Sequence, residues 1–321
     1  MSVARRGRFA LAPYAGFILV APRIKVMYCP TTKVACSSLK LLLAKANGSY
    51  DAARVEKLVG PHIARSQTIH EKGVNGLPKL VDLPMREIEE VLGSPEWLRV
   101  YATRDPLARA YSAWENRIFS RAPGTPDRAI ALCPDELVDG RVDVAASFAR
   151  FARAIADHTD EFMVDHHFLP QTHIVQPDRF DYTTRVRVER ADEMAALVAE
   201  VNRRAGTRLE LERHNQGFGI SLAEVCDQHT ANRLAATYAM DHERFGYETR
   251  TFPASVPPRP LGPVEASLLR SFRGAVEQLQ AVSYSARSLA GVRFGARQIW
   301  KSVARRVTFG RAYSDPAQVH W

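Results

Sequence analysis

Ile24–Cys29 (IKVMYC) is a strand-like apolar run that passes through a short loop straight into a helical pattern over Ser37–Ala46. Leu98–Thr103 (LRVYAT) does the same, ending in Arg104-Asp105-Pro106 before a helical pattern over Leu107–Phe119. A strand that feeds a helix twice over calls for crossovers between parallel neighbours, which few architectures other than an α/β sheet accommodate. The alternation continues to about residue 250. Val144–Ile155, Asp192–Ala205 and Leu222–Ala239 have helical apolar spacing, and Thr184–Val188 reads as a strand. The fold class is therefore α/β, a mostly parallel central sheet flanked by helices. Residues 121–142, rich in Pro, Gly and Asp, read as a loop.

The N-terminus admits two readings. Arg5, Arg6 and Arg8 before the apolar stretch Phe9–Pro22 imitate a signal peptide. The preferred reading is a β-hairpin: Phe17–Ala21, a turn at Pro22-Arg23, and the return Ile24–Cys29. Pro13 and Gly16 interrupt the apolar stretch, which is too short to span a bilayer. The chain of 321 residues divides into a catalytic unit over 1–252, a proline-rich linker over 253–263 and a basic helical tail over 264–321. The tail holds nine Lys/Arg against three Asp/Glu, which is most of the net charge of +9. Ala296, Ile299, Trp300, Val303 and Val307 fall on one helical face of it, with Arg297, Lys301 and Arg305 off that stripe. Packing on the catalytic unit or a second subunit is preferred for that face. An anionic membrane surface is the alternative partner. Four cysteines without a CxxC pair suit a reducing compartment better than a disulfide framework, so a cytoplasmic location is expected, peripheral at the inner membrane surface if the tail binds lipid.

The first strand–loop–helix unit carries phosphate chemistry. In the loop Pro30–Ser38, Lys33 supplies a full charge, Ser37 and Ser38 supply hydroxyls, and the helix start supplies unpaired N–H groups. A plain helix cap is the bland reading of either serine. No GxxxxGK[ST] occurs, which counts against an ordinary P-loop ATPase. In the second unit Arg104 stands at the strand's end, with Ser112 two turns into the helix, so the pair can grip one phosphate from two sides. Two such sites on neighbouring strands suit a ligand with phosphates at both ends. Tyr111, Trp114 and Phe119 read as core, and Arg109 as a solvated or partner-facing charge.

These segments resemble the carbohydrate sulfotransferases that modify chondroitin and dermatan, and their bacterial relatives. CPTTKVACSSLKLLL looks like that family's 5′-phosphosulfate loop and ATRDPLARAYSAWENR like its 3′-phosphate motif. Three weaker matches follow in order: Asp165–Gln171 (DHHFLPQ), Asp181-Tyr182 through Glu189, and Tyr238–Asp241 with Phe245–Tyr247. Phe168 and Leu39 stand where the family usually has tryptophan. The resemblance covers about residues 17–250 and implies a three-layer, P-loop-like sulfotransferase fold. It implies 3′-phosphoadenosine 5′-phosphosulfate (PAPS) as donor and a carbohydrate or glycolipid hydroxyl as acceptor.

On that resemblance Lys33 would bridge the leaving phosphate and the sulfuryl group. Ser37, Ser38 and the amides of Val34, Ala35 and Cys36 would hold the 5′-phosphate, with Arg104 and Ser112 on the 3′-phosphate. No metal is expected, because these groups neutralise the developing charge. A histidine suits the general base. His70, between the two phosphate motifs, is the first choice among His62, His70, His166 and His167, and His167 the second. Zinc at His166-His167 is discounted because adjacent positions of a strand face opposite sides. The rivals are a nucleotide-dependent phosphoryl transferase, which lacks the Walker residues, and a non-catalytic binder of acidic glycan or nucleic acid. Nucleic acid is not expected, because the basic excess lies in the tail.

Overall fold

A computed structural model describes residues 15–59, 65–212 and 217–290. The N-terminal hairpin is present. β1 (Leu19–Ala21) pairs antiparallel with β2 (Val26–Cys29), Val20 opposite Met27. The connection is a 3₁₀ turn, Pro22–Ile24, in place of a two-residue turn, because proline starts a helical turn readily. β2 runs parallel to β3 (Leu98–Thr103), and β3 parallel to β6 (Thr184–Arg187), giving the order β1-β2-β3-β6.

Side-chain alternation along these strands fills two separate clusters. Val26, Tyr28, Val100, Ala102 and Val186 face α1 (Cys36–Asn47) and α4 (Ala191–Ala205). Met27 and Cys29 face the other way, onto Ile18, Val20, Leu80 and Trp97. A third cluster lies beyond the sheet. There α2 (Pro106–Trp114) and α3 (Val144–Asp157) bring Trp114, Phe148 and Phe151 together in a ladder of ring contacts. The sheet thus has helices on both faces, and the loops after β2 and β3 emerge side by side at their carboxyl ends, where α/β sheets bind ligands.

Several elements differ from expectation. Residues 121–142 contain a helix, Asp127–Leu132, and a small hairpin of β4 (Leu137–Val138) and β5 (Arg141–Val142). The helix expected over 222–239 is three: Leu222–Val225, α5 (Gln228–Thr237) and α6 (Ala239–Phe245). The Asp227 carboxylate accepts the Thr230 N–H at 2.7 Å and starts a new helix there. α2 gives way after Trp114 to a π-helical turn, Glu115–Phe119, in which the Ser120 N–H returns to the Glu115 carbonyl.

The proline-dense segment 253–263 lies against the catalytic unit. The Leu261 N–H donates to the Val142 carbonyl, and the Val144 N–H to that of Arg259. A 28-residue helix, Pro263–Ala290, then leaves this segment. Its Leu269 and Val276 are buried, and Arg273 forms a two-pronged pair with Asp135 while donating to the Phe119 carbonyl. Ala296–Val307 lies outside the described residues. No described helix is long and apolar enough to cross a membrane.

Asp143 ties these parts together. Its buried carboxylate caps α3 through Ala145 and Ala146 and also accepts the Arg259 N–H at 2.9 Å. Asp143→Ala removes a cap and strands a main-chain donor, so urea denaturation should show a loss of about 2–3 kcal/mol at unchanged m-value. A loss below about 0.5 kcal/mol, the surface-substitution scale, would mean that the 253–263 segment does not depend on this contact.

Candidate active site

The loop after β2 is wound by two non-glycine residues in the left-handed region, Lys33 at φ 63° and Ala35 at φ 48°. Non-glycine residues seldom adopt this conformation, and windings of this kind turn main-chain N–H groups into one concavity. α1 starts at Cys36, and its cap residue Ala35 offers no side-chain hydrogen bond. Ser37 and Ser38 therefore are not its caps. They lie buried inside the first turn, and the first N–H groups of α1 are left without helical partners. Val34 is buried among the side chains of the core on the α1 face, so only its main chain can serve the loop. The Thr31 hydroxyl, also buried here, has no protein partner among the described residues.

The loop after β3 is tied to this one. Arg104 donates from Nη1 to the Lys33 carbonyl at 3.1 Å, which places its guanidinium beside the Lys33 turn. Ser112 is partly buried on α2. Asp105 caps α2 by accepting the Ala108 N–H at 2.8 Å.

Three segments that look weak in sequence converge on residues 103–105. Gln171 accepts the Arg104 N–H at 2.9 Å and donates to the Arg104 carbonyl at 2.8 Å. Glu189 accepts the Asp105 N–H. Tyr247 shares a 2.9 Å hydrogen bond with Thr103. Gln171 is in turn fixed by Asp241 of α6, a fully buried carboxylate that accepts the main-chain N–H groups of Gln171 and Thr172 and the Thr172 hydroxyl. Tyr238 donates to the Phe168 carbonyl at 2.8 Å.

Arg109 overturns its expected role as a solvated charge. It is 1% exposed and donates to the main-chain carbonyls of Thr32 at 3.0 Å and Leu169 at 2.7 Å, clamping the Lys33 loop to the 165–170 turn. A guanidinium can be buried in this way because carbonyls replace its lost water. Tyr111, Trp114 and Phe119 are core, as expected, and Phe168 fills its place at 0% exposure.

The histidines separate clearly. His70 keeps part of its surface in solvent, but its ring is turned onto α1, bonding Ser37 Oγ through Nε2 at 3.0 Å and Lys40 Nζ through Nδ1 at 3.1 Å. Desolvation of the ring and the Lys40 charge both push it toward the neutral form. His167 lies in a turn rather than a strand, so the opposite-sides argument fails: its ring and that of His166 are neighbours, 4.4 Å apart. Asp165 completes a group whose ligand atoms lie within 4.8 Å of one another. Its carboxylate is already paired to Arg117 at 2.7 Å, a cation that opposes a metal ion there. His62 lies outside the described residues.

The sequence profile of the sulfotransferase family matches residues 17–248. The chain belongs to this family. It is 22% identical to carbohydrate sulfotransferase 10 of Xenopus laevis over 255 residues, covering 73% of this chain and 68% of the relative. It is 24% identical to that of Danio rerio over 263 residues, covering 73% and 67%. Carbohydrate sulfotransferase 14 of Danio rerio is 27% identical over 191 residues, covering 57% and 47%. No solved structure matches the chain.

Arg117, Asp165, Gln171 and Asp241 carry no sequence signal of their own as site residues. Arg117 lies on the second strand–loop–helix unit, and the other three on segments singled out only by resemblance. Glu115 is a further one. It lies close enough to attract Lys33, and its carboxylate accepts the Phe218 N–H at 2.8 Å. A Cβ at Gly217 would come within 2.1 Å of that carboxylate.

Burial pushes the Lys33 ammonium down to about 8; Arg104 and Arg117 add to this, while Cys36 and Glu115 oppose it. An anion bound beside it restores the charged form, so binding above that pH takes up a proton and weakens as pH rises. Calorimetry with a phosphate-bearing nucleotide should show affinity falling as pH is raised through about 8. Lys33→Arg, whose guanidinium stays charged, should abolish the fall. Identical profiles in both proteins would remove Lys33 from contact with the anion.

Proposed function

We propose that this chain transfers the sulfuryl group of PAPS to a hydroxyl of a carbohydrate or glycolipid acceptor. The observation that carries the reading is the pairing of an uncapped helix start, beside left-handed Lys33 and Ala35, with Arg104 tied to the same turn by its bond to the Lys33 carbonyl. That arrangement presents two anion sites of unlike construction on adjoining strand ends. A 5′-phosphosulfate suits the first, where helix amides and hydroxyls surround a cation. A compact 3′-phosphate suits the second, where Arg104 and Ser112 approach it from the strand end and the next helix.

In this reading the acceptor oxygen attacks sulfur, the sulfur–oxygen bond to the 5′-phosphate breaks, and negative charge grows on the leaving oxygen. Lys33 and the first turn of α1 stand where that charge develops, and fixed dipoles and charges lower such a barrier most. The acceptor class is taken from the names of the relatives, which are carbohydrate sulfotransferases.

Incubation with labelled PAPS and a panel of sugar acceptors should label an acceptor, and ATP should not substitute as donor. Lys33→Ala should reduce turnover about a hundredfold or more, the scale for one transition-state charge stabiliser. Turnover within a few-fold of the parent protein would refute its role.

Arg104→Ala should weaken adenosine 3′,5′-bisphosphate by roughly 2–3 kcal/mol, the scale of a charge-assisted hydrogen bond. An analogue lacking the 3′-phosphate should bind the two proteins alike. Equal losses for both ligands would place Arg104 elsewhere.

A further inference from the structure

Asp165 and His167 of the turn 165–168 form, with Arg117, a three-residue relay outside the proposed phosphate sites. Asp165 is 6% exposed. Its Oδ2 accepts Arg117 Nε at 2.7 Å, and its Oδ1 accepts the His167 main-chain N–H at 3.0 Å and meets the His167 Nδ1 at 2.6 Å. Arg117 is itself held, through Nη1, by the Pro123 carbonyl at 2.8 Å. It reaches inward from the π-helical turn Glu115–Phe119, a distortion often found at functional sites.

This geometry leaves one ring nitrogen of His167 for chemistry. With Nδ1–H directed at an ionised Asp165, Nε2 carries the lone pair, and it has no protein partner among the described residues. The side chain keeps 19% of its surface open. Burial opposes ionisation of Asp165, yet the His167 hydrogen bond and the Arg117 charge hold its carboxyl well below the usual range. Burial likewise pushes His167 down to about 4, against the pull of Asp165, so the imidazole is neutral near pH 7. The turn faces the donor loop: the Thr32 hydroxyl donates to the His166 carbonyl at 3.1 Å, and His70 and His167 lie near enough for their charges to repel. His70 has both ring nitrogens engaged by Ser37 and Lys40 of α1.

We propose that Arg117 and Asp165 are positioning residues that hold His167 as the imidazole receiving the acceptor's proton, while His70 braces the donor loop. The inference rests on the sulfuryl-transfer reading. As the acceptor oxygen bonds to sulfur, its proton passes to His167 Nε2. The electron pair of the breaking sulfur–oxygen bond stays on the leaving phosphate, and the imidazolium, stabilised by Asp165, later releases the proton to water. Asp165 keeps the tautomer and shields the charge without taking the proton, the part a buried carboxylate plays behind a histidine base.

The test uses the full chain, PAPS and the acceptor labelled best. His167→Ala should lower kcat by about a hundredfold or more with donor KM within about twofold, and added imidazole should restore part of it. Asp165→Asn should lower kcat on its own but by less than about twofold in the His167→Ala background, since a positioning residue has nothing left to position. A purely structural Asp165 would cost the same in both backgrounds, and that result overturns the proposal. If Asp165→Asn does not fold, imidazole decides: rescue of His167→Ala supports the assignment, and no rescue overturns it. Absence of transfer by the parent protein would overturn the sulfuryl-transfer reading itself, whereas normal transfer with insensitive His167 and Asp165 variants would overturn this inference alone.

Discussion

The site depends on one buried amide. Gln171 holds both the N–H and the carbonyl of Arg104, and its own main chain is held by the buried Asp241 carboxylate. Buried polar groups cost heavily when unpaired, so this set is stable only as a whole. The end of β3, the 165–171 turn and α6 therefore take up position together. Arg104 is aimed by that agreement and not by its own strand.

The same logic joins the two loops proposed to bind the donor's anionic groups. Arg104 reaches the Lys33 carbonyl, and Arg109 bonds the Thr32 and Leu169 carbonyls beneath it. A buried guanidinium is tolerated only where acceptors surround it, and here those acceptors are the main chain of the two segments that need fixing. The cation that would hold phosphate and the cation that holds the loop sit five residues apart on one strand–helix unit. Their environments, and not their residue type, separate the roles.

Much was legible in the chain. The runs IKVMYC and LRVYAT mark β2 and β3 because largely apolar stretches feeding helices belong to buried parallel strands. The N-terminal pairing and the helices from Cys36, Pro106 and Val144 follow from periodicity, with Asp105 and Asp143 capping the last two. Elsewhere local signals were overruled. Arg109 reads as a solvated charge, yet it is buried because two loops pass over it and supply its acceptors. Asp227 breaks an apolar periodicity that reads as one helix. The His166-His167 pair reads as strand-like, but Asp165 turns the chain by accepting the His167 N–H.

The sequence by itself determined the sheet, the two strand–loop–helix units, and the cation and hydroxyls each unit offers, because strand and helix periods and loop chemistry are local properties. Tertiary structure decided which of these meet. The pairing of Asp165 with Arg117, the seating of Gln171 on Arg104 and the engagement of both His70 nitrogens by α1 join residues far apart in the chain. No local pattern encodes such contacts. They arise because burying those polar groups is stable only when each finds its partner across the fold.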